Sequence, residues 1–314
     1  MLKVLVSGGA GFIGSHVADR LVRRGLDVDV LDNLFAGSTK NIEDLLGVGS
    51  FRFVKGDVRD FDVLKALVAD VDCVVHLAAV TSVPLSMKDP SLTHEVNVTG
   101  TLNLLRACLE SDVKRFVFAS SCAVYGEPRY LPVDEEHPAS PISPYATSKL
   151  ASEHYLRVFH EAYGLRTVVL RLFNVYGPRQ GLNGEGGVIP EFMECLRRGL
   201  PLTIYDDGLQ TRDFVHVCDV VDAFVLSLEQ ANAVGEVFNV GSGESTSVGD
   251  LAQTVLSLAD HDSGLVYEES RSGDIKHSCA SIEKAKKMLG YVPKIAVQEG
   301  LKTLIQKRTE NLIV

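Results

Sequence analysis

The stretch Val4-Leu5-Val6-Ser7-Gly8-Gly9-Ala10-Gly11-Phe12-Ile13-Gly14 decides the fold of this chain of 314 residues. An apolar, β-branched run leads into glycines at positions 8, 11 and 14, and helical spacing follows. Glycine permits a tight turn and lets the backbone approach a ligand closely. The free N–H groups at the start of the following helix favour an anion. The stretch therefore predicts a strand, a turn and a helix that together hold a pyrophosphate.

The next predicted strand, residues 28–31, ends at Asp32-Asn33. A carboxylate at this place accepts hydrogen bonds from a ribose diol and repels a 2′-phosphate, which favours NAD over NADP. The G-x-x-G-x-x-G spacing differs from the G-x-G-x-x-G of ordinary dehydrogenases. A tight strand-to-helix turn without a ligand is the alternative interpretation of the glycines alone.

Strand and helix signals alternate through the first half of the chain. Strands are predicted at residues 3–7, 28–31, 51–54, 72–77, 115–119, 167–172 and 237–240, and helices at 16–24, 63–68, 96–109 and 145–163. Such alternation gives a parallel sheet covered by helices on both faces, a doubly wound α/β fold of the Rossmann type. We expect residues 1–174 with 213–240 to form this dinucleotide-binding domain.

After residue 174 the alternation becomes irregular. A glycine-rich loop at residues 181–187 precedes a predicted helix at 189–198 and a strand at 202–205. Ser247 is expected to cap a helix that ends near residue 259, and Ser281 another that ends at Gly290. We expect residues 175–212 with 241–314 to form a smaller α/β domain on the substrate side.

Composition excludes several classes of protein. The formal net charge is −10, and because phosphate contacts need surplus basic residues we expect no nucleic-acid partner. The densest apolar stretches have about eight residues, against the roughly 20 of a membrane-spanning helix, so we expect no membrane segment and no signal peptide. The six cysteines form no C-x-x-C pair, which favours reduced thiols, a cytoplasmic location and no metal site.

The stretch Ser143-Pro144-Tyr145-Ala146-Thr147-Ser148-Lys149 combines a helix start with two reactive side chains. Ser143 suits the cap and Pro144 the first turn, so Tyr145 and Lys149 share one helical face. The ordinary pKa of a phenol is about 10, and a neighbouring ammonium or a bound nicotinamide lowers it. We expect Tyr145 to be a general base toward a sugar hydroxyl. An exposed tyrosine beside a solvated lysine is the alternative.

Polar or small residues follow several other predicted strands, at the sheet edge where open α/β sheets bind ligands. They are Asp57 and Val58 after the third strand, Leu77-Ala78-Ala79 after the fourth, and Ser120-Ser121 at the end of the fifth. Asn97 lies on a predicted helix nearby. Each has a plainer interpretation as a loop residue, a site of close packing or a structural amide.

Taken together, these residues resemble the extended short-chain dehydrogenase/reductase family over about residues 1–300, and within it the nucleotide-sugar epimerases of the UDP-glucose 4-epimerase type. The resemblance implies Tyr145 as base, Lys149 as its partner and ribose ligand, and Ser121 as third catalytic residue. It implies an NAD site formed by Gly8, Gly11, Phe12, Ile13, Gly14, Asp32, Asn33, Asp57, Val58, Leu77, Ala78, Ala79, Asn97, Tyr145 and Lys149.

Two departures from related enzymes favour simple epimerisation. Related dehydratases carry an Asp-Glu pair after the catalytic serine or threonine, and this chain has Cys122-Ala123 there. The glutamate of related decarboxylases is also missing.

The resemblance also implies a UDP-sugar site in the second half of the chain. Its members are Ser121, Tyr145, Asn174 at the diphosphate, Val188 at the nucleotide, Tyr205 stacked on uracil, Arg212 and Arg271 at the diphosphate, Asp274 at the ribose, and Ser278 beside the sugar C2 substituent. A small residue at the last position implies tolerance of N-acetylated sugars. For each arginine, a surface ion pair is the alternative.

The expected activity is 4-epimerisation of UDP-glucose and UDP-galactose, and of their N-acetyl counterparts, through a 4-keto intermediate with tightly bound NAD. Three alternatives stay open: a UDP-glucuronate 4-epimerase or keto-sugar reductase, a non-catalytic dinucleotide sensor, and a structural subunit. The resemblance further implies a homodimer formed through the predicted helices at residues 96–109 and 145–163.

Overall fold

The computed structural model describes residues 2–181, 187–260, 264–269 and 275–311. Its strands are β1 (Lys3–Ser7), β2 (Asp27–Asp32), β3 (Phe51–Lys55), β4 (Cys73–His76), β5 (Arg115–Ser121), β6 (Thr167–Leu172), β7 (Asn174–Tyr176), β8 (Leu202–Tyr205), β9 (Thr211–Arg212), β10 (Phe214–His216), β11 (Val237–Val240), β12 (Thr246–Ser247) and β13 (Leu265–Glu268). Its α-helices are α1 (Phe12–Arg23), α2 (Phe61–Val68), α3 (Val83–Lys88), α4 (Pro90–His94), α5 (Gly100–Glu110), α6 (Pro144–Tyr163), α7 (Val188–Arg198), α8 (Val217–Glu229), α9 (Val248–Ala259), α10 (Glu283–Leu289) and α11 (Val297–Asn311).

The central sheet has seven strands in the order β11-β6-β5-β4-β1-β2-β3, and every neighbouring pair is parallel. The predicted doubly wound α/β fold is therefore confirmed. The chain order changes direction between β1 and β4, where the connections from β1 and β4 leave toward opposite sides. A crevice forms at the carboxyl ends of strands at such a switch point, and ligands of open α/β sheets bind there.

Two apolar layers cover the sheet, and β1 shows how the strand pattern builds them. Val4 and Val6 belong to a core shared with α1 and α8, whereas Leu5 belongs to a core shared with α2, α5 and α6. Successive side chains of a strand point to opposite faces, so a continuous apolar strand is buried on both. The long helix α6 thereby lies on the same face of the sheet as α2 and α5.

The second half of the chain builds a separate, smaller core. It consists of residues from α7, β8, α9 and α11, among them Phe192, Ile204 and Leu251. The described residues also form three two-stranded sheets: β7 with β10, β9 with β12, and β8 with β13. Meanwhile α8 packs on α1, and β11 joins the central sheet. The division at residues 174, 213 and 240 stays a prediction.

Of the two serine helix caps predicted in the second half of the chain, one is confirmed and the other is wrong. Ser247 caps α9 as predicted, since its hydroxyl oxygen accepts a 2.9 Å hydrogen bond from the Asp250 N–H. The predicted cap at Ser281 is wrong, because α10 starts at Glu283 with no side-chain cap. Ser281 is instead extended, and its N–H donates to the Val133 carbonyl oxygen at 2.7 Å.

The predicted helix at residues 96–109 is also divided. A π-helical turn, Glu95–Thr99, precedes α5 and contains Asn97. Single π-helical turns often occur beside functional sites, because they re-aim side chains out of the regular helix. Across the residues that the structure describes, no helix combines the length and apolar character needed to cross a membrane.

Candidate functional site

The glycine turn between β1 and α1 is shaped by close backbone contacts. Gly8 has a φ of 73°, and a Cβ there would lie 2.6 Å from the Ala78 backbone nitrogen. A Cβ at Gly14 would lie 2.1 Å from the Gly8 carbonyl oxygen. Only glycine therefore fits at either position. Gly11 precedes the helix as its N-cap, and Phe12 and Ile13 form its first turn, whose N–H groups have no intrahelical acceptor.

Asp32, at the carboxyl end of β2, lies against this turn. Its carboxylate accepts hydrogen bonds from the Ala10 N–H at 3.0 Å and the Leu34 N–H at 2.8 Å. The side chain is buried, and burial raises its pKa above the ordinary value. The structure thus brings the predicted ribose acceptor to the predicted pyrophosphate turn.

Asn33 and Asp57 meet beyond the ends of β2 and β3. The Asn33 amide donates to the Asp57 carboxylate at 2.9 Å. Arg59 also donates two hydrogen bonds to this carboxylate, from Nε and from Nη2, each at 2.9 Å. The hydrogen bonds from Arg59 lower the pKa of Asp57. Val58 is buried beside Gly100. The sequence prediction did not include Arg59, although it directly follows the predicted residues Asp57 and Val58.

Leu77, Ala78 and Ala79 follow β4, and the backbone of Leu77 and Ala78 lies against Gly8. Their contact with a cofactor stays a prediction. Asn97 is fully engaged by the chain itself. Its side-chain oxygen accepts from the Val80 N–H at 2.7 Å, and its amide donates to the Val80 carbonyl and the Ser148 hydroxyl, each at 2.9 Å. The structural-amide interpretation therefore describes Asn97 in this structure.

Tyr145 and Ser121 lie close together at the carboxyl end of β5, where the Ser121 hydroxyl acts on the phenol. The Ser121 hydroxyl oxygen also accepts from the Ala123 N–H at 3.2 Å. Burial raises the pKa of Tyr145 to about 12, and the nearby Ser121 hydroxyl opposes that rise. In the protein chain by itself, the phenol of Tyr145 therefore stays protonated at neutral pH. That Lys149 and a bound nicotinamide together favour the phenolate stays a prediction.

Lys149 is buried one turn further along α6, with 3% of its surface exposed. Its ammonium donates to the Ala119 carbonyl oxygen at 2.8 Å and lies 6.0 Å from the centre of the Tyr145 ring. Burial lowers the pKa of Lys149 to about 7, against the opposing charge of Glu153. The ammonium therefore holds its proton weakly.

A buried ion pair lies behind these residues. Arg171 of β6 donates to both carboxylate oxygens of Glu153, with the shortest distance 2.7 Å. The Ser120 hydroxyl also donates to Glu153. Arg171 donates to the Tyr125 hydroxyl at 2.9 Å, which in turn donates to Asn239 of β11 at 2.7 Å. The network joins α6 to three strands of the central sheet.

On the other side of the crevice, Asp213 fixes the predicted substrate residues. Its carbonyl oxygen accepts from the Asn174 N–H at 3.0 Å. Its buried carboxylate accepts from the N–H groups of Ser242, Gly243 and Ala280. Burial raises the pKa of Asp213. Sequence reasoning treated this aspartate only as the residue after Arg212.

Arg212 and Ser278 lie on neighbouring segments. Arg212 is in β9, and the Ser278 N–H donates to the Thr211 carbonyl oxygen at 3.1 Å. The charges of Asp213 and Arg212 act on the Cys122 thiol, the residue after Ser121. The hydrogen bond at Thr211 thus places Arg212 and Ser278 on adjoining segments.

Two other predicted substrate residues lie further out. Tyr205 ends β8 and Val188 begins α7, and both are half-buried. Arg271 and Asp274 lie outside the described residues, as does most of the glycine-rich loop at residues 181–187. The predicted diphosphate clamp is thus described only through Asn174 and Arg212.

Two residues that complete the site carried weak sequence signals. Glu153 lies four and eight positions after Lys149 and Tyr145, so it shares their helical face. Arg171 interrupts the otherwise apolar strand β6. A charged residue within a buried strand indicates a buried partner of opposite charge. The sequence could therefore have predicted such a partner for Arg171.

The residues present fit a dinucleotide. The turn at Gly8 and Gly14 leaves no room for a side chain, so backbone alone lines it, and the first turn of α1 offers unpaired N–H groups. Gly8, Gly11, Phe12, Ile13 and Gly14 would hold the pyrophosphate, and Asp32 a ribose. In the part of the chain that the structure describes, no group of three or more His, Cys, Asp or Glu side chains is arranged to hold a metal ion.

Comparison with known proteins identifies the family. Residues 4–241 match the model of the NAD dependent epimerase/dehydratase family, and the chain belongs to this family. NAD is accordingly its cofactor. The predicted resemblance to extended short-chain dehydrogenase/reductase epimerases is confirmed.

Individual relatives cover nearly the whole chain. The UDP-glucose 4-epimerase of Mycolicibacterium smegmatis is 39% identical over 308 residues, 97% of this chain and 98% of that protein. The structure of the Thermotoga maritima UDP-glucose 4-epimerase with UDP-glucose is 38% identical with a TM-score of 0.94, covering 99% of this chain and 100% of that chain. A UDP-N-acetylglucosamine 4-epimerase from Methanobrevibacter ruminantium, in complex with UDP-N-acetylmuramic acid, is 37% identical with a TM-score of 0.94, covering 99% of both chains. The chain is thus a member of the NAD dependent epimerase/dehydratase family whose relatives include enzymes named as nucleotide-sugar 4-epimerases.

The lowered pKa of Lys149 predicts a pH dependence of stability. The unfolded chain binds this proton up to a pKa near 10.5, whereas the folded chain releases it near 7. Between these values the unfolded state binds more protons, so stability rises with pH, by at most about 1.4 kcal/mol per pH unit. In Lys149→Met this contribution is absent.

Urea unfolding of parent and Lys149→Met at pH 7 to 9.5 measures the difference. The parent should gain stability relative to the variant as pH rises. The buried His76 and Tyr145 do not change charge in this range, because burial lowers the pKa of His76 to about 3 and raises that of Tyr145 to about 12. The exposed Lys88→Met serves as the matched control and should track the parent. Parallel curves for parent and Lys149→Met would show that Lys149 is solvated.

Proposed function

We propose that the protein is a UDP-hexose 4-epimerase that interconverts UDP-glucose and UDP-galactose, with tightly bound NAD. The observation that carries the proposal is the arrangement of Ser121, Tyr145 and Lys149 at the carboxyl edge of the sheet, next to the glycine turn. A hydroxyl pair and a buried ammonium at a dinucleotide site suit proton removal from a sugar alcohol.

Each reactive side chain has a role in that reaction. When bound, NAD supplies the acceptor and donor of hydride at the sugar C4, together with the positive charge of its ring. Tyr145 takes the proton from O4 and later returns it. Ser121, whose hydroxyl lies near the phenol of Tyr145, orients O4 between them. Lys149 binds a ribose hydroxyl and favours the phenolate electrostatically.

The surroundings of Tyr145 suit a base that works only in the loaded site. Its raised pKa keeps it protonated at neutral pH. A positive ring beside the phenol stabilises the charged form, as does protonated Lys149. The base is therefore generated where and when the substrate is oxidised.

The residue after Ser121 supports epimerisation over elimination of water. Cys122 is a half-buried thiol whose pKa is raised by desolvation to about 12, so it offers neither an acid nor a base at neutral pH. Ala123 has no polar group. The side chains needed to remove water from C5 and C6 of a sugar are therefore missing at these two positions.

We propose that the nucleotide carries most of the binding energy and the sugar is held loosely. Asn174, Arg212 and Arg271 contact the diphosphate, Tyr205 stacks on uracil, and Val188 and Asp274 contact the nucleoside. A 4-keto sugar must turn over in the pocket between the two half-reactions. Tight contacts to the diphosphate with few to the hexose allow that rotation.

We propose a homodimer formed through α5 and α6. Exposed apolar side chains cluster on these helices, namely Leu109, Tyr155, Val158 and Tyr163. Together with Leu102 and Phe159 they line one shallow groove. Contiguous exposed apolar surface of this kind favours association. We also propose a cytoplasmic location, which the six free cysteines support.

Product analysis tests the activity. Purified protein is incubated separately with UDP-glucose, UDP-N-acetylglucosamine and UDP-glucuronate, without added cofactor. We expect C4-inverted product from UDP-glucose and UDP-N-acetylglucosamine. No added cofactor should be needed, because NAD stays bound through a redox-neutral cycle. Tyr145→Phe should lose at least about 100-fold in kcat, the scale of general-base catalysis, and keep its bound NAD. Near-parent turnover in Tyr145→Phe would remove the base role, and inversion of UDP-glucuronate alone would assign the other epimerase activity.

Ser278 is the proposed determinant of tolerance for N-acetylated sugars. It is small and buried, with 7% of its surface exposed. A tyrosine in its place fills the space beside the C2 substituent. Ser278→Tyr should therefore reduce kcat/KM for UDP-N-acetylglucosamine about 10-fold or more relative to UDP-glucose, since a steric clash in a binding pocket costs 1–3 kcal/mol. An unchanged ratio in a folded, UDP-glucose-active variant would contradict this role.

A further inference from the structure

The turn after β7 contains an arginine in an unusual conformation. Arg179 has a φ of 66°, in the left-handed region. Residues other than Gly, Asn and Asp rarely adopt this backbone conformation. A strained backbone conformation persists only where the surrounding structure imposes it, often at ligand sites. None of the roles assigned above to other residues explains why an arginine stands here.

The Arg179 side chain also has an unsatisfied donor. Among the residues that the structure describes, two buried side-chain polar atoms have no hydrogen-bond partner, and Arg179 Nη1 is one of them. Buried N–H groups are almost always paired, and a charged group is especially costly to leave unpaired. An unpaired guanidinium nitrogen in a ligand crevice indicates an anionic partner that the chain itself does not supply.

Contacts on both sides fix the position of this turn. The His16 Nε2 lies 2.9 Å from the carbonyl oxygen of Pro178, which precedes Arg179. On the other side, the Gln180 amide donates to the Val175 carbonyl oxygen at 3.2 Å. A Cβ at Gly177 would lie 2.5 Å from Val217, so the turn is also closely packed. These contacts hold the backbone of Arg179 in its strained conformation.

The location connects Arg179 to both nucleotide sites. His16 lies in the second turn of α1, the helix whose N-terminus follows the glycine turn. β7 begins at Asn174, which continues from the carboxyl end of β6. The turn that carries Arg179 therefore adjoins α1 of the predicted cofactor site and follows the strand that begins at the predicted substrate residue Asn174.

We propose that Arg179 binds a phosphate group of a nucleotide held in this crevice, and that the strained turn serves to aim its guanidinium there. The planar fork of arginine matches phosphate oxygens and binds them with short, charge-assisted hydrogen bonds. The proposal rests on the proposed function in one respect, because it takes UDP and NAD as the phosphate sources. It adds a binding residue that neither the glycine pattern nor the predicted clamp contains.

Binding measurements on Arg179→Asn test the proposal. Asparagine tolerates the left-handed conformation and removes the charge. The exposed Arg198→Asn, at the end of α7, removes the same charge elsewhere and is the matched control. Calorimetric titration of the NAD-containing protein with UDP gives one arm. The amount of NAD retained per chain after extensive dialysis gives the other.

We expect Arg179→Asn to weaken UDP binding or NAD retention at least tenfold, with Arg198→Asn equal to the parent. Loss in the UDP arm assigns the substrate diphosphate, and loss in the NAD arm the cofactor pyrophosphate. If Arg179→Asn does not fold, Arg179→Gly adopts the same φ without strain and replaces it. Unchanged binding in both arms would overturn the proposal, whereas failure of the parent itself to bind UDP would contradict the proposed function instead.

Discussion

The buried ion pair between Glu153 and Arg171 is the interaction on which the reactive site depends. Glu153 belongs to α6 and Arg171 to β6, and their hydrogen bonds extend to Ser120, Tyr125 and Asn239. Burying two charges is costly, and excellent geometry with added hydrogen bonds is needed to offset that cost. Removing one partner of such a pair typically destabilises a protein by about 3–5 kcal/mol. The pair therefore allows one placement of α6 against the sheet.

That placement determines the chemistry. Tyr145, Lys149 and Glu153 follow one another at intervals of four along one face of α6, so fixing Glu153 fixes the other two. Ser120 binds Glu153, while the hydroxyl of the next residue, Ser121, lies near the phenol of Tyr145. Two adjacent residues of β5 thus contact the structural and the reactive end of the same helix face. The same buried surroundings disfavour charge on both Tyr145 and Lys149.

The fold and much of the site follow from local sequence patterns. The glycine turn was predictable because its conformation and close approach allow no Cβ, and Asp32 because it ends the next strand. Strands β1, β4 and β5 were predictable from nearly continuous apolar runs, since burial on both faces leaves no polar alternation. Strands β2 and β3 lie toward the edge of the sheet and alternate charged with apolar residues.

What the sequence did not reveal depends on long-range packing. Glu153 on a helix reads as solvated until Arg171, 18 positions away, is placed beside it. Ser281 reads as a cap until its backbone pairs with Val133. The pKa of Tyr145 is raised because burial outweighs the opposing effect of the Ser121 hydroxyl, and burial of this kind depends on elements that are distant in the sequence. The strain at Arg179 is likewise imposed by contacts distant in sequence.

The central claim is that one pocket oxidises C4 of a UDP-hexose and reduces it again from the opposite face. The most direct test uses UDP-glucose carrying deuterium at C4, followed by NMR of the product. The account predicts UDP-galactose that retains the deuterium at C4, with no reduced nicotinamide released into solution. Product in which the deuterium has been replaced by solvent hydrogen, or release of reduced nicotinamide in amounts equal to product, would contradict it.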